Sequence, residues 1–113
     1  MLPRGARAAC AGGRDQGVTV GLETGAELRA ALTRLTPPGT PMTAARAAME
    51  RAGFWCRAPS EAPFAGRELP FRYMYCRKQD ELNWFVSRIW QTTHADSAGV
   101  VGEILATEFL EAP

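Results

Sequence analysis

The apolar residues of this chain change their period at Gly53, and that change limits the folds open to it. Before Gly53 they recur at helical spacing: Leu28, Leu32 and Leu35 at i, i+4 and i+7, then Met42, Ala45, Met49 and Ala52 in one narrow stripe. After it come β-forming runs rich in aromatic and branched residues, Phe71-Arg-Tyr-Met-Tyr-Cys-Arg77 foremost. Helices followed by strands, without alternation between them, predict an α+β fold in which two N-terminal helices pack on one face of a three- to four-stranded antiparallel meander.

Local signals set the expected boundaries. Thr24 is a candidate N-cap for a helix over 24–35, and Thr36-Pro-Pro-Gly39 ends it, because proline lacks an amide donor and restricts the residue before it. Thr40 can cap a second helix with Pro41 at its first position, and Gly53 suits the left-handed residue that closes it. Phe54–Arg57 reads as a short strand and 58–70 as a loop. Lys78–Glu81 reads as a turn, Leu82–Gln91 and Val100–Phe109 as long strands, and His94–Gly99 as the connection between them. Residues 1–22 hold glycines, arginines and few large apolar groups, which predicts a flexible N-terminal arm ahead of a single domain over 23–113. Val18, Val20 and Leu22 alternate within it as in a short edge strand.

Composition narrows the function classes. The chain has 113 residues and a net charge of +1, so bulk charge makes no case for nucleic acid or a membrane surface. Arginine dominates the basic residues, with Lys78 the single lysine, a bias that suits a GC-rich genome. No apolar run is long enough to span a bilayer as a helix. The first ten residues, basic then small, end at Cys10, a candidate lipid-attachment position. They lack the apolar stretch of roughly 7–15 residues that an export signal carries, which favours an arm.

Few residues carry chemistry. No catalytic set emerges: His94, Asp96 and Ser97 are neighbours in sequence, where triad members have to converge from separate places, and His94 is expected as a solvated turn residue. A cysteine–histidine pair of Cys76 and His94 has no local signature. Cys10, Cys56, Cys76 and His94 lack the close pairing of zinc ligands, so no metal is expected, and no nucleotide fingerprint implies a cofactor. Cys56 and Cys76 can face one layer of neighbouring strands. Their residues leave two readings open, a disulfide or two reduced buried thiols, with compartment deciding. Tyr73, Tyr75 and Trp84 near arginines allow base stacking, a minor reading at this net charge.

The strands are apolar on both faces. On the reading above, Leu82, Trp84, Val86 and Trp90 share one face, with Phe85 and Ile89 on the other. Helices cover only one side of such a sheet, so the second has to be covered by the N-terminal part of the chain, by a second copy, or by another protein. The candidate interaction residues are therefore Trp84, Val86, Trp90, Tyr73 and Tyr75. The expected function is a non-enzymatic protein-binding or scaffolding module. The alternative is a small thiol- or histidine-dependent enzyme using Cys76 or His94.

Gly39-Thr-Pro41, Gly53-Phe-Trp-Cys56, Tyr73-Met-Tyr-Cys76 and Trp84-Phe-Val86 occur in that order over less than half the chain. The series resembles small bacterial envelope proteins of the β-lactamase-inhibitor-protein-like fold, shared with outer-membrane assembly lipoproteins. The resemblance implies two helices on an antiparallel sheet, a Cys56–Cys76 disulfide, and a binding or scaffolding role in the periplasm or envelope. Outside that resemblance, a cytoplasmic location is expected.

Overall fold

A computed structural model describes residues 17–61 and 72–112. Two helices, α1 (Gly25–Leu35) and α2 (Met42–Arg51), are followed by β1 (Trp55–Cys56), β2 (Tyr73–Glu81), β3 (Ser87–Ser97) and β4 (Val100–Glu111). The strands form one antiparallel meander in the order β1-β2-β3-β4, and the helices pack on one of its faces. The α+β architecture read from the change of period is the one observed.

Each helix begins and ends where its termini find partners. Thr24 accepts from the Glu27 amide, and Glu27 reaches back to the Thr24 amide, a reciprocal capping box. The same carboxylate accepts from the Glu23 amide, and these backbone bonds hold Glu27 below the usual carboxylate range. Helix α2 starts after Pro41, which is its N-cap and makes no side-chain cap bond. Thr40, expected in that role, bonds Pro37 O instead, at 2.6 Å. Gly53 takes φ +95° after α2, as the sequence predicts, and Phe54 folds back into the core.

The core lies between the helices and one sheet face. Leu28, Leu32, Met42, Ala45 and Met49 meet Cys56, Met74, Cys76, Trp90, Val101 and Ile104. Full burial of a large apolar side chain such as Leu28 or Met74 stabilises by roughly 1.5–3 kcal/mol. Val18 and Leu22 also pack against this cluster. Gly17–Thr19 forms a single 3-10 turn, so the alternation at 18–22 does not produce an edge strand.

Two boundaries differ from expectation. Lys78–Glu81 is not a turn: β2 runs through it, and its register with β3 continues to Glu81↔Ser87. The reversal falls at Asn83–Phe85, where Asn83 Oδ1 accepts from the amides of Phe85 (2.7 Å) and Val86 (3.0 Å). Leu82–Val86 is therefore a hairpin connection and not the first half of a strand. The β3–β4 turn is likewise shorter than expected. It is the pair Ala98-Gly99 with φ +55° and +91°, the positive-φ pattern that matches strand twist, and His94 sits well inside β3.

Strand β4 is a sheet edge that the helical layer covers. Gly39 N–H donates to Val101 O (2.8 Å), Val101 N–H to Thr40 O (2.8 Å), and Met42 N–H to Gly99 O (2.9 Å). Pairing by the interhelix loop removes part of a free edge. Further along, Gly25 packs directly on β4 and its amide donates to the Glu108 carboxylate. A Cβ at Gly25 would lie 2.9 Å from Ala106 C and Thr107 Cα. Gly25→Ala is expected to force α1 off the sheet and cost roughly 2 kcal/mol, read as a shifted urea midpoint. An unchanged midpoint would show that the close approach is dispensable.

Candidate functional site

Strand parity sorts the expected residues. Register pairs Met74, Cys76, Lys78 and Asp80 of β2 with His94, Thr92, Trp90 and Arg88 of β3. The members of this set that belong to the core cluster, Met74, Cys76 and Trp90, place it on the helix face. Odd-numbered β2 residues take the outer face. The five candidate interaction residues therefore do not share a surface. Trp90 is fully buried under the helices, Tyr73 is fully buried on the outer face, and Tyr75 is half-buried there. Val86 is half-buried at the end of the hairpin connection, and only Trp84 is strongly exposed, at 82%. The cause is the loop at Asn83–Phe85, which interrupts the alternation that had put Trp84 and Trp90 on one strand.

The outer face is not an open apolar plane. Tyr73, Ile89 and Thr93 on it are buried. The Arg57 guanidinium lies over the rings of Tyr73 (5.9 Å) and Tyr75 (5.1 Å), and Trp55 meets Tyr75 edge-on at 6.5 Å.

Cys56 and Cys76 are directly paired across β1 and β2, with Cα atoms 4.1 Å apart and their sulfurs joined as a disulfide. Arg57 N–H bonds Tyr75 O, which makes 56↔76 the closely spaced, non-hydrogen-bonded class of antiparallel pair. Both cysteines are buried. Cys10 lies outside the described residues.

His94 is buried, not solvated. Thr36 donates its hydroxyl proton to Leu32 O, so His94 Nε2 donates to Thr36 Oγ1 at 3.1 Å. Nδ1 is left without a hydrogen-bond partner among the described residues. Burial lowers the His94 pKa to about 4 and keeps the ring neutral. Asp96 is held by Arg72 (3.7 Å) and by the Gly99 amide (2.8 Å).

Two features depart from the expected set: the first shares only Trp90 with it, and the second only Trp84 and Val86. The first is a polar seal at the hairpin end of the core. Lys78 is buried and bonds Asp80 and Thr19 Oγ1 (3.0 Å), and Trp90 Nε1 donates to Asp80 Oδ2 (2.9 Å). Burial raises the Asp80 pKa, but bonds from Lys78, Thr19 and Trp90 together with the lysine charge outweigh it and hold the carboxyl below its usual range. Arg88 donates to Leu22 O (2.9 Å), so residues 17–22 are tied down over this end.

The second is an apolar surface at the same end. Leu82 (45%), Trp84 (82%) and Phe85 (55%) are exposed on the hairpin, and Trp84 and Phe85 stack with centroids 4.0 Å apart. Phe109, opposite Ile89 in register, adds exposed apolar area on the outer face of β4, while Leu110, opposite Arg88, is exposed on the other face. The hairpin overhangs a recess of about 310 Å³ lined by Gln79, Glu81, Trp84, Phe85, Ser87 and Glu111, among others. Asn83 was the legible signal, since Asx residues organise turns. No group of metal-ligating side chains occurs among the described residues, and no described helix is long and apolar enough to cross a membrane. Comparison with protein families, with curated proteins and with solved structures returned no match, so this surface is read on its own geometry.

Proposed function

We propose that this chain is a non-enzymatic protein-binding module that docks through the exposed hairpin end centred on Trp84 and Phe85. The observation that carries this reading is the concentration of exposed apolar side chains. Among the described residues eight large hydrophobics are exposed, and three of them, Leu82, Trp84 and Phe85, lie in the one hairpin connection, with Phe109 on the outer face of β4 at the same end of the sheet. Stacked aromatics on a turn braced by Asn83 lose little conformational freedom on docking, which suits a binding anchor. The acidic rim of Glu81 and Glu111 adds charge selection. The resemblance to small envelope binding proteins supports the same class of function. The enzymatic alternative has less behind it, because Cys76 is bonded to Cys56 and His94 is buried.

The patch is expected to bind a hydrophobic dye or to drive self-association, measured by fluorescence and by light scattering. The double variant Trp84→Ser, Phe85→Ser should lose that behaviour while its unfolding midpoint stays within about 0.5 kcal/mol of the parent, since neither side chain is buried. A monodisperse monomer that binds no dye would overturn the proposal.

A further inference from the structure

The part of the β2 edge that β1 leaves uncovered lies beside this patch, and its hydrogen-bonding groups specify a kind of ligand. In β2 the odd residues aim their N–H and C=O away from β3. Arg57 N–H bonds Tyr75 O, and Ser60 and Tyr73 exchange both of their backbone bonds on that side. Strand β1 has only two residues and its pairing ends at Trp55↔Arg77. Beyond that point the chain turns back toward α2, with the Phe54 amide donating to Met49 O. By the same alternation Gln79 and Glu81 present N–H and C=O to this edge. No described residue pairs with them there.

Two recesses meet at the same pair. One, of about 650 Å³, is lined by Thr19, Val20, Gln79, Asp80 and Glu81, and the other, of about 310 Å³, is the recess under Trp84 and Phe85. Gln79 and Glu81 line both. A strand added along this edge sends alternate side chains to opposite faces. Residues opposite Gln79 and Glu81 would turn toward the Trp84–Phe85 recess, and the residue between them toward Thr19, Val20 and Asp80. Four backbone groups that no described residue pairs, flanked by a pocket on each face, make a template for an extended peptide, which a helix or a small molecule would not satisfy.

We infer that the β2 edge at Gln79 and Glu81 binds an extended segment of a partner protein by strand addition, with a lysine or arginine of that segment set across from Glu81. This rests on the protein-binding reading above and names its mode. Charge selects the occupant. Glu81 and Glu111 are acidic groups of the outer recess, and Arg77, the β2 cation on the same face, lies outside it, opposite Trp55. Opposite charges directly across a strand pair stabilise it, and like charges oppose it.

The probe is a capped hexapeptide alternating lysine and threonine, titrated into the full chain labelled with nitrogen-15. Binding is expected to shift the amides of Gln79 and Glu81 first. A peptide N-methylated at its central amides loses the edge donors and should bind at least tenfold more weakly. Gln79→Pro removes an amide that faces the open edge, not the ladder to β3, so it should block the peptide and leave the sheet intact. Glu81→Lys, an exposed surface change, should weaken the lysine peptide at least fivefold and favour a glutamate–threonine peptide instead. Equal binding of the N-methylated peptide, or shifts confined to Trp84 and Phe85, would overturn strand addition while leaving the binding patch standing. No shift at any residue up to millimolar peptide would also overturn it, and the dye and light-scattering experiment then judges the patch separately.

Discussion

Replacing Cys56 and Cys76 together by alanine is expected to lower the unfolding free energy by about 3 kcal/mol. The two cysteines are 20 residues apart, and the bond removes loop entropy from the unfolded chain in proportion to the logarithm of that separation. The native state has little to put in its place. Strand β1 is two residues long, and Trp55↔Arg77 is its only other pair with β2. Without the bond, β1 depends on that short ladder, on the Arg57–Tyr75 and Ser60–Tyr73 backbone bonds beyond it, and on the burial of Phe54 and Cys56 itself. Urea unfolding of the oxidised protein, the reduced protein and the double alanine variant measures the effect. All three midpoints coinciding would mean that the bridge contributes nothing to the folded state. Reduction should also lengthen the open β2 edge, so peptide binding at Gln79 and Glu81 should survive it.

The second large effect is on pH dependence. His94 has its pKa lowered to about 4 in the folded protein, against 6.5 for the free side chain, and burial is the cause. Between those two values the unfolded chain binds a proton that the folded chain refuses. Stability is therefore complete above pH 6.5, falls as pH drops through the window, and levels off below about 4. The full loss is roughly 3 kcal/mol. Asp80 and Glu27 are held below their ordinary values and add their own losses at more acidic pH. Urea midpoints at pH 7, 6 and 5 should fall for the parent. His94→Gln keeps a neutral donor toward Thr36 and should flatten the curve over that range. Parallel curves for parent and variant would show that His94 is not the group responsible.

The contrast between α2 and the 78–86 region shows what was legible. The helix was readable because its apolar stripe, its proline start and its left-handed Gly53 are local signals that agree. The 78–86 region was misread because composition was followed where side-chain bonds decide the outcome. Lys78-Gln-Asp-Glu81 looks like a polar turn, yet Lys78 and Asp80 are a bonded pair that lets charged residues continue a strand across the end of the core. Leu82–Val86 looks like a strand by composition, yet Asn83 folds it into a turn that displays its aromatics. The true reversal lies about four residues later than the polar run suggests, and that displacement scattered the expected interaction face. The same displacement hid Leu110 and the edge that β1 leaves uncovered at Gln79 and Glu81, since an edge is defined by where the neighbouring strand stops. His94 was misplaced for a related reason. The compact Ala98-Gly99 turn lets β3 continue to Ser97, which puts the ring under Thr36.

The central claim, that the Trp84–Phe85 end is where another protein docks, can be tested in the cell that makes the chain. A photo-cross-linking amino acid is placed at position 82, on the same hairpin and with Trp84 intact, and in a second variant at position 47, an exposed site on α2. One discrete protein adduct is expected from position 82, with the cross-linked peptide identified by mass spectrometry, and none from position 47. Trp84 should in addition be a dominant anchor, its removal costing about 2 kcal/mol or more of binding to the partner so identified. Equal labelling from both positions, or no adduct from position 82, would contradict it.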